Sequence, residues 1–118
     1  MARPVSFDEQ VRANLPEVQN SAEFSDDQLW LTFYLSGSPE RLQEVSEALD
    51  SGGWVNVDGW EFAFLYPKVQ VEKSVEAILN VAEAAQELCA RHGVEILIMD
   101  ADTSPDVERS RFVTLYAR

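Results

Sequence analysis

The sequence predicts an α+β domain built on a four-stranded antiparallel sheet. Two apolar runs, at residues 29–36 and 94–99, have the length and residue types of buried strands. Two helical patterns, after Ser38 and over residues 72–91, alternate with them, and two shorter alternating runs lie between these helices. The order strand, helix, strand, strand, helix, strand is that of the ferredoxin-like βαββαβ fold, with both helices on one face of the sheet.

The first 28 residues precede this domain, which we place at residues 29–118. One helical stripe predicts a short helix over residues 7–15, and an acidic, flexible connector follows it through Asp26 and Asp27. The apolar members of the stripe and its continuation are Phe7, Val11, Leu15 and Val18.

The strand at residues 29–36 alternates strictly, so Trp30, Thr32 and Tyr34 share the face opposite its leucines. Gly37 ends this strand. Ser38 then fits a helix N-cap and Pro39 the first helical position, where a missing N–H costs nothing. The helix buries Leu42, Val45 and Leu49 and stops at Gly52-Gly53.

The dipeptide Asp58-Gly59 predicts a tight hairpin between strands at residues 54–57 and 60–66. We expect Pro67 to end the second strand. The long helix over residues 72–91 then buries an apolar stripe and stops at His92-Gly93. This predicted stripe consists of Val71, Val75, Ile78, Ala82, Ala85 and Cys89.

The strand at residues 94–99 is apolar except for Glu95, which indicates a position inside the sheet. A loop is expected over residues 100–108. Alternation over residues 112–116 predicts an additional C-terminal strand that pairs back onto its predecessor.

Net charge is the strongest compositional signal. The chain has 118 residues, with 21 acidic against 9 basic side chains, for a net charge of −12. Such a field repels nucleic acid and anionic membranes and favours a basic partner, although solubility alone also explains it. A single cysteine and the lack of a long apolar run lead us to expect a cytoplasmic protein.

Asp100 and Asp102 follow an apolar strand, as the paired aspartates of haloacid-dehalogenase-type phosphatases do. The same residues begin like a calcium loop, but Pro105 and Arg111 replace its required glycine and glutamate. A weak divalent site that also uses Asp106, or a metal-dependent enzyme centred on Asp100 and Asp102, therefore stands beside a simple solvated turn. The sequence predicts no cofactor.

Cys89 and His92 lie three residues apart near the end of the long helix. Cys89 is on the apolar stripe, which favours a buried, inert thiol over a nucleophile. His92 fits a helix end, where the dipole is negative. The sequence therefore predicts no catalytic residues.

The acidic residues are arranged in ridges. Within each predicted helix they fall inside about 60° of arc. We interpret these ridges as a surface for a basic partner, with a plain solvated face as the alternative. The residues are Glu40, Glu44 and Glu47 in the first core helix and Glu72, Glu76, Glu83 and Glu87 in the second.

Aromatic residues form a second candidate surface. If both helices cover one side of the sheet, the other side exposes a patch suited to a protein contact or a homodimer, unless the N-terminal segment covers it. The residues assigned to this patch are Trp30, Tyr34, Trp54 and Trp60.

The pattern over residues 29–99 resembles the ribonuclease E inhibitor family, also called regulator of ribonuclease activity B. The similar features are the Ser38-Pro39-Glu40 helix start, the Gly52-Gly53-Trp54 turn and the run from Ala90 to Val94. The resemblance implies a non-enzymatic regulator that binds ribonuclease E and changes RNA turnover. An immunity-type protein that neutralises a basic toxin fits the same size and charge.

Overall fold

The computed structural model describes residues 6–50, 52–55, 57, 63–104 and 111–118. Its elements are α1 (Phe7–Gln19), β1 (Gln28–Ser36), α2 (Pro39–Asp50), β2 (Phe64–Leu65), β3 (Lys68–Glu72), α3 (Val75–His92), β4 (Glu95–Asp102) and β5 (Phe112–Ala117). The predicted α+β class, its ferredoxin-like arrangement, the N-terminal helix and the C-terminal strand are confirmed. No helix in the described ranges is both long and apolar enough to cross a membrane.

All strand pairs of the sheet are antiparallel. β1 lies at the centre, with β2 and β3 on one side and β4 on the other, and β5 forms the far edge beside β4. The last strand therefore pairs back onto its predecessor, as predicted. At the opposite edge, Val55 forms a bridge with Lys68 through two backbone hydrogen bonds of 2.8 and 2.9 Å.

β2 and β3 follow one continuous register along β1, with Leu65 opposite Leu35 and Val69 opposite Leu31. Pro67 separates them because it has no N–H to donate, although its carbonyl still accepts from the Phe33 amide at 3.0 Å. The predicted end of the strand at Pro67 is confirmed, since β2 ends at Leu65, but the strand β3 that follows it was not predicted. Pairing resumes at Lys68 and places Val71 in β3, so the helix begins only at Val75, which is exposed.

The predicted tight hairpin has its turn at Asp58-Gly59, outside the described residues. A two-residue turn at Asp58-Gly59 would set Val55 opposite Phe62, whereas Val55 pairs with Lys68. Residues 58–62, including Trp60, lie outside the described residues.

Serine caps begin the helices. Ser6 accepts from the amide of Glu9 at 3.2 Å and Ser74 from that of Ala77 at 3.1 Å, while Ser38 Oγ is 3.4 Å from the amide of Arg41. The long helix ends at Gly93, whose φ of 67° is left-handed. His92-Gly93 thus terminates α3 as predicted.

The first helix runs four residues beyond the predicted end at Leu15. Pro16 lies inside it and removes one backbone hydrogen bond. Burial of Val18, which is fully inaccessible to solvent, compensates for this loss. The apolar stripe therefore decides the length of α1.

The core lies on one side of the sheet, which we call the helix side. One cluster joins the inward side chains of the strands to those of all three helices. α1 packs on β5 and α3, and α2 packs on α3. Asn14 donates to the Leu115 carbonyl at 3.0 Å, and Gln10 accepts from the Ala117 amide at 3.4 Å, so α1 also closes the free edge of β5.

Candidate functional site

The side of the sheet opposite the helices, which we call the open face, carries a row of polar side chains. Residues opposite one another in a ladder share a face. Thr32 in β1 is opposite Lys68 in β3 on one side and Asp100 in β4 on the other, and Asp100 is opposite Thr114 in β5. We call these four residues the polar row. Thr32 and Asp100 are both buried although no helix of the described residues covers them.

Asp100 is the centre of this row and is only 5% exposed. The hydroxyls of Thr114 and Tyr34 donate to its carboxylate, whereas Oδ1 has no hydrogen-bond partner. Burial raises the pKa of Asp100 above its ordinary value, and the neighbouring charge of Asp102 adds to this effect. The hydroxyls and Lys68 act in the opposite direction.

Asp102 and Lys68 connect the row to its surroundings. Thr32 donates its hydroxyl to Asp102 Oδ2, and Lys68 Nζ lies 3.3 Å from Thr32 Oγ1. Burial is the main cause that raises the pKa of Tyr34, and the charges of Asp100 and Asp102 contribute. The row is therefore an interconnected set of polar groups and not separate surface residues.

The predicted loop at residues 100–108 was wrong at its start. Asp100 and Asp102 lie within β4, paired on both sides with antiparallel neighbours. A phosphatase nucleophile lies at the end of a parallel strand, and a calcium loop curls around its ion, so neither geometry matches. The described ranges contain no group of three or more potential metal-ligating side chains, and Asp106 lies outside them.

Aromatic side chains flank the polar row. Tyr34 contacts Tyr66 edge to face, with ring centroids 5.3 Å apart, and Phe64 stacks on Tyr66 at 6.4 Å. Trp30 and Phe112 lie on either side of Asp102, and Phe112 is 63% exposed. Because α1 packs on the helix side, it leaves this aromatic surface uncovered.

Trp54 does not belong to the open face. Its ring lies 5.5 Å from that of Phe33 and packs against the core on the helix side. The bridge between Val55 and Lys68 explains this, since Val55 shares the open face with Lys68 and its neighbour in sequence points the other way.

The acidic ridges lie on the outer surface of the helix layer. Their helical members are exposed, and we call them the acidic helix surface: Glu40, Glu44 and Glu47 of α2, and Glu76, Glu83 and Glu87 of α3. Glu72 was assigned to the same helix but lies in β3. Its side chain therefore belongs to the sheet and not to this surface.

In the described part of the chain, ion pairs offset only a small part of the charge of the acidic helix surface. Glu44 Oε2 lies 2.8 Å from His92 Nδ1, which joins α2 to α3, and Glu87 lies 3.7 Å from Arg91. Exposed pairs of this kind contribute little stability. The surface keeps a strong excess of negative charge.

Cys89 is buried, and burial raises its pKa to about 12. A thiol with this pKa is almost entirely protonated at neutral pH and is a poor nucleophile. His92 is engaged with Glu44. The geometry agrees with the inert cysteine that the sequence favoured.

Sequence reasoning missed Thr32, Lys68 and Thr114 as members of one site. The signal that could have found Lys68 is the alternation through Phe64, Tyr66 and Lys68, which continues past Pro67. Recognising Pro67 as a strand interruption would have placed these side chains on one face.

Comparison with known proteins adds no relative. No family model matches the chain, and no curated protein or solved structure shows significant similarity to it.

Proposed function

We propose that this protein is a non-enzymatic regulator that binds a basic protein partner through the acidic helix surface. The observation that carries this proposal is the charge of the helix layer. The three helices contain ten acidic residues against three arginines, a net of seven negative charges with His92 neutral. More than half of the net charge of −12 is therefore concentrated on the helices.

Charge arranged in this way acts on association more than on folding. Like-charged neighbours four residues apart in a helix cost a few tenths of a kcal/mol, so the ridges do not stabilise the fold. A surface of one sign instead speeds encounter with a partner of opposite sign and disfavours wrong partners. It equally disfavours nucleic acid as a direct ligand.

Ribonuclease E is the first partner to test, because of the sequence resemblance over residues 29–99. If it binds, the protein regulates RNA turnover by occupying a basic surface of that enzyme. A basic toxin bound by an immunity-type protein is the other candidate partner and uses the same acidic helix surface.

Affinity capture tests the proposal. The purified chain serves as bait in lysate of its source cells, and retained proteins are eluted with salt rising from about 50 to about 300 mM before mass spectrometry. We expect a basic protein to elute within this range. Ribonuclease E in that fraction supports the regulator of RNA turnover, and another basic protein in its place excludes that assignment alone.

Two charge-reversed baits provide the control. The variant Glu76→Lys/Glu83→Lys/Glu87→Lys should lose the partner. The variant Glu23→Lys/Asp26→Lys/Asp27→Lys changes the net charge equally, at exposed positions between α1 and β1, and should retain it. Equal capture by both baits, or no capture by the wild type, would contradict the proposal.

A further inference from the structure

The unpartnered carboxylate oxygen of Asp100 is the feature that the fold does not explain. A buried polar atom without a hydrogen bond destabilises the folded state, so native proteins rarely keep one without a role for it. Asp100 Oδ1 is in this position in the middle of a five-stranded sheet, on a residue that is 5% exposed. A hydrogen-bond donor brought by a ligand would remove the cost.

The charges around Asp100 indicate what kind of donor fits. The charged groups that act on it are Asp102 and Lys68, so the three side chains together carry one net negative charge. A single positive charge neutralises them. A divalent ion would overcompensate, would be repelled by Lys68, and finds no group of three ligating side chains in the described ranges.

The aromatic residues beside the polar row indicate which positively charged group fits. Tyr34 and Tyr66 lie next to the row on one side and Trp30 on the other. A flat guanidinium stacks on such rings and offers five N–H donors, whereas an ammonium is a compact point charge. Phe112, which is opposite Asp102 on β5, is exposed and can change rotamer without breaking the ladder.

We propose that the open face binds an arginine side chain of the partner, with the guanidinium donating to Asp100 Oδ1 and stacking on the adjacent aromatic rings. This inference rests on the proposed function only in taking the partner to be basic. It adds a second contact, on the opposite side of the sheet from the acidic helix surface. The acidic helix surface gives the long-range attraction, and Asp100 selects for arginine.

The test uses the full chain and a small probe, N-acetyl-L-arginine amide, followed by amide shifts in two-dimensional NMR. We expect saturable shifts in β1, β4 and β5 with a Kd on the order of a millimolar. The neutral probe N-acetyl-L-glutamine amide should leave these amides unchanged. Equal shifts with both probes, shifts confined to the helices, or no saturable shifts would overturn the proposal.

Variants then assign the contact to Asp100. Asp100→Asn should raise the Kd of the arginine probe about tenfold or more, because a hydrogen bond to a charged group is lost. The matched change Asp26→Asn, at an exposed carboxylate, should leave the Kd unchanged. Unchanged binding in folded Asp100→Asn would overturn the proposal.

If Asp100→Asn does not fold, acidification of the wild type gives the same information. The titratable and charged groups facing Asp100 are Tyr34, Asp102 and Lys68. The pKa of Tyr34 is raised, so acid does not ionise it, and loss of probe binding reports the carboxylates. Binding that persists at a pH where both carboxyls are protonated would contradict the proposal.

The NMR experiment with the arginine probe and the affinity capture of the partner can fail independently of each other. Probe binding without capture of any basic protein would leave the open-face site standing and remove the proposed function. If capture depends on the acidic helix surface but the probe does not bind, the proposed function stands and the arginine site on the open face is overturned. Competition by magnesium for the same amides would assign the site to a metal and overturn the arginine assignment.

Discussion

The two sides of the sheet are built from the same strands with different chemistry. On the helix side, Leu31 and Phe33 of β1 are at most 1% exposed and meet the apolar stripes of three helices. On the open face, the intervening Thr32 is buried among polar groups beside half-buried Trp30 and Tyr34. The helix side stabilises the fold, and the open face holds groups that fold stability alone does not require.

The largest expected effect is the loss of stability when a side chain on the helix side is shortened, compared with the same change on the open face. Leu31→Ala removes a fully buried side chain on the helix side and should lower the free energy of unfolding by about 3 kcal/mol. Ile98→Ala makes a similar change on the half-buried open face and should cost about 1 kcal/mol. Urea denaturation measures both. Equal losses would show that the open face is packed as fully as the helix side.

A smaller effect is expected where α1 closes the edge of the sheet. Asn14→Ala removes the hydrogen bond to the Leu115 carbonyl and should cost about 1 kcal/mol. The exposed neighbour Ala13 provides the control, since Ala13→Ser should change stability little. Thermal unfolding followed by circular dichroism measures the difference. No loss in Asn14→Ala would mean that water satisfies the carbonyl equally well.

The pH dependence of stability should show that burial of Asp100 disfavours its charged form. The pKa of Asp100 is raised in the folded state. Its contribution to the free energy of unfolding is therefore fully present below the ordinary pKa of 3.8, and it is lost as the pH rises through the pKa of the folded state. The wild type should therefore lose stability relative to Asp100→Asn as the pH rises across that window. Urea unfolding at several pH values checks this, and parallel curves would refute it.

Salt should produce the smallest effect. Screening reduces repulsion among the exposed acids of the acidic helix surface, so the Tm should rise by a few degrees between about 20 and about 200 mM sodium chloride. The variant with three lysines in α3 should show a smaller rise. A Tm that falls with salt would mean that attractive pairs outweigh repulsion on this surface.

Local patterns predicted much of the fold. β1, α2 and the end of α3 follow from alternation, helical spacing and capping residues that are close together in sequence. Errors arose where a distant partner overrides the local signal. β2 ends before Pro67, but pairing with β1 resumes in the same register in β3 instead of giving way to a helix, and Val18 extends α1 past a proline because the core accepts it.

The candidate site was less predictable for the same reason. Two aspartates after an apolar run indicate a loop, because a strand buried in the sheet would leave their carboxylates without hydrogen-bond donors unless other strands supply them. Thr32 and Thr114, which lie far from them in sequence, supply the hydroxyls that allow β4 to continue. The acidic helix surface, in contrast, depends on spacing within single helices and was predictable except for Glu72.

The most direct test of binding through the acidic helix surface is the salt dependence of partner affinity, measured by titration calorimetry with the captured protein. We expect the wild type and the Glu23, Asp26 and Asp27 variant to lose affinity steeply between about 50 and about 300 mM salt, while the α3 variant binds weakly with a shallower slope. Equal slopes for both variants would contradict binding through the acidic helix surface.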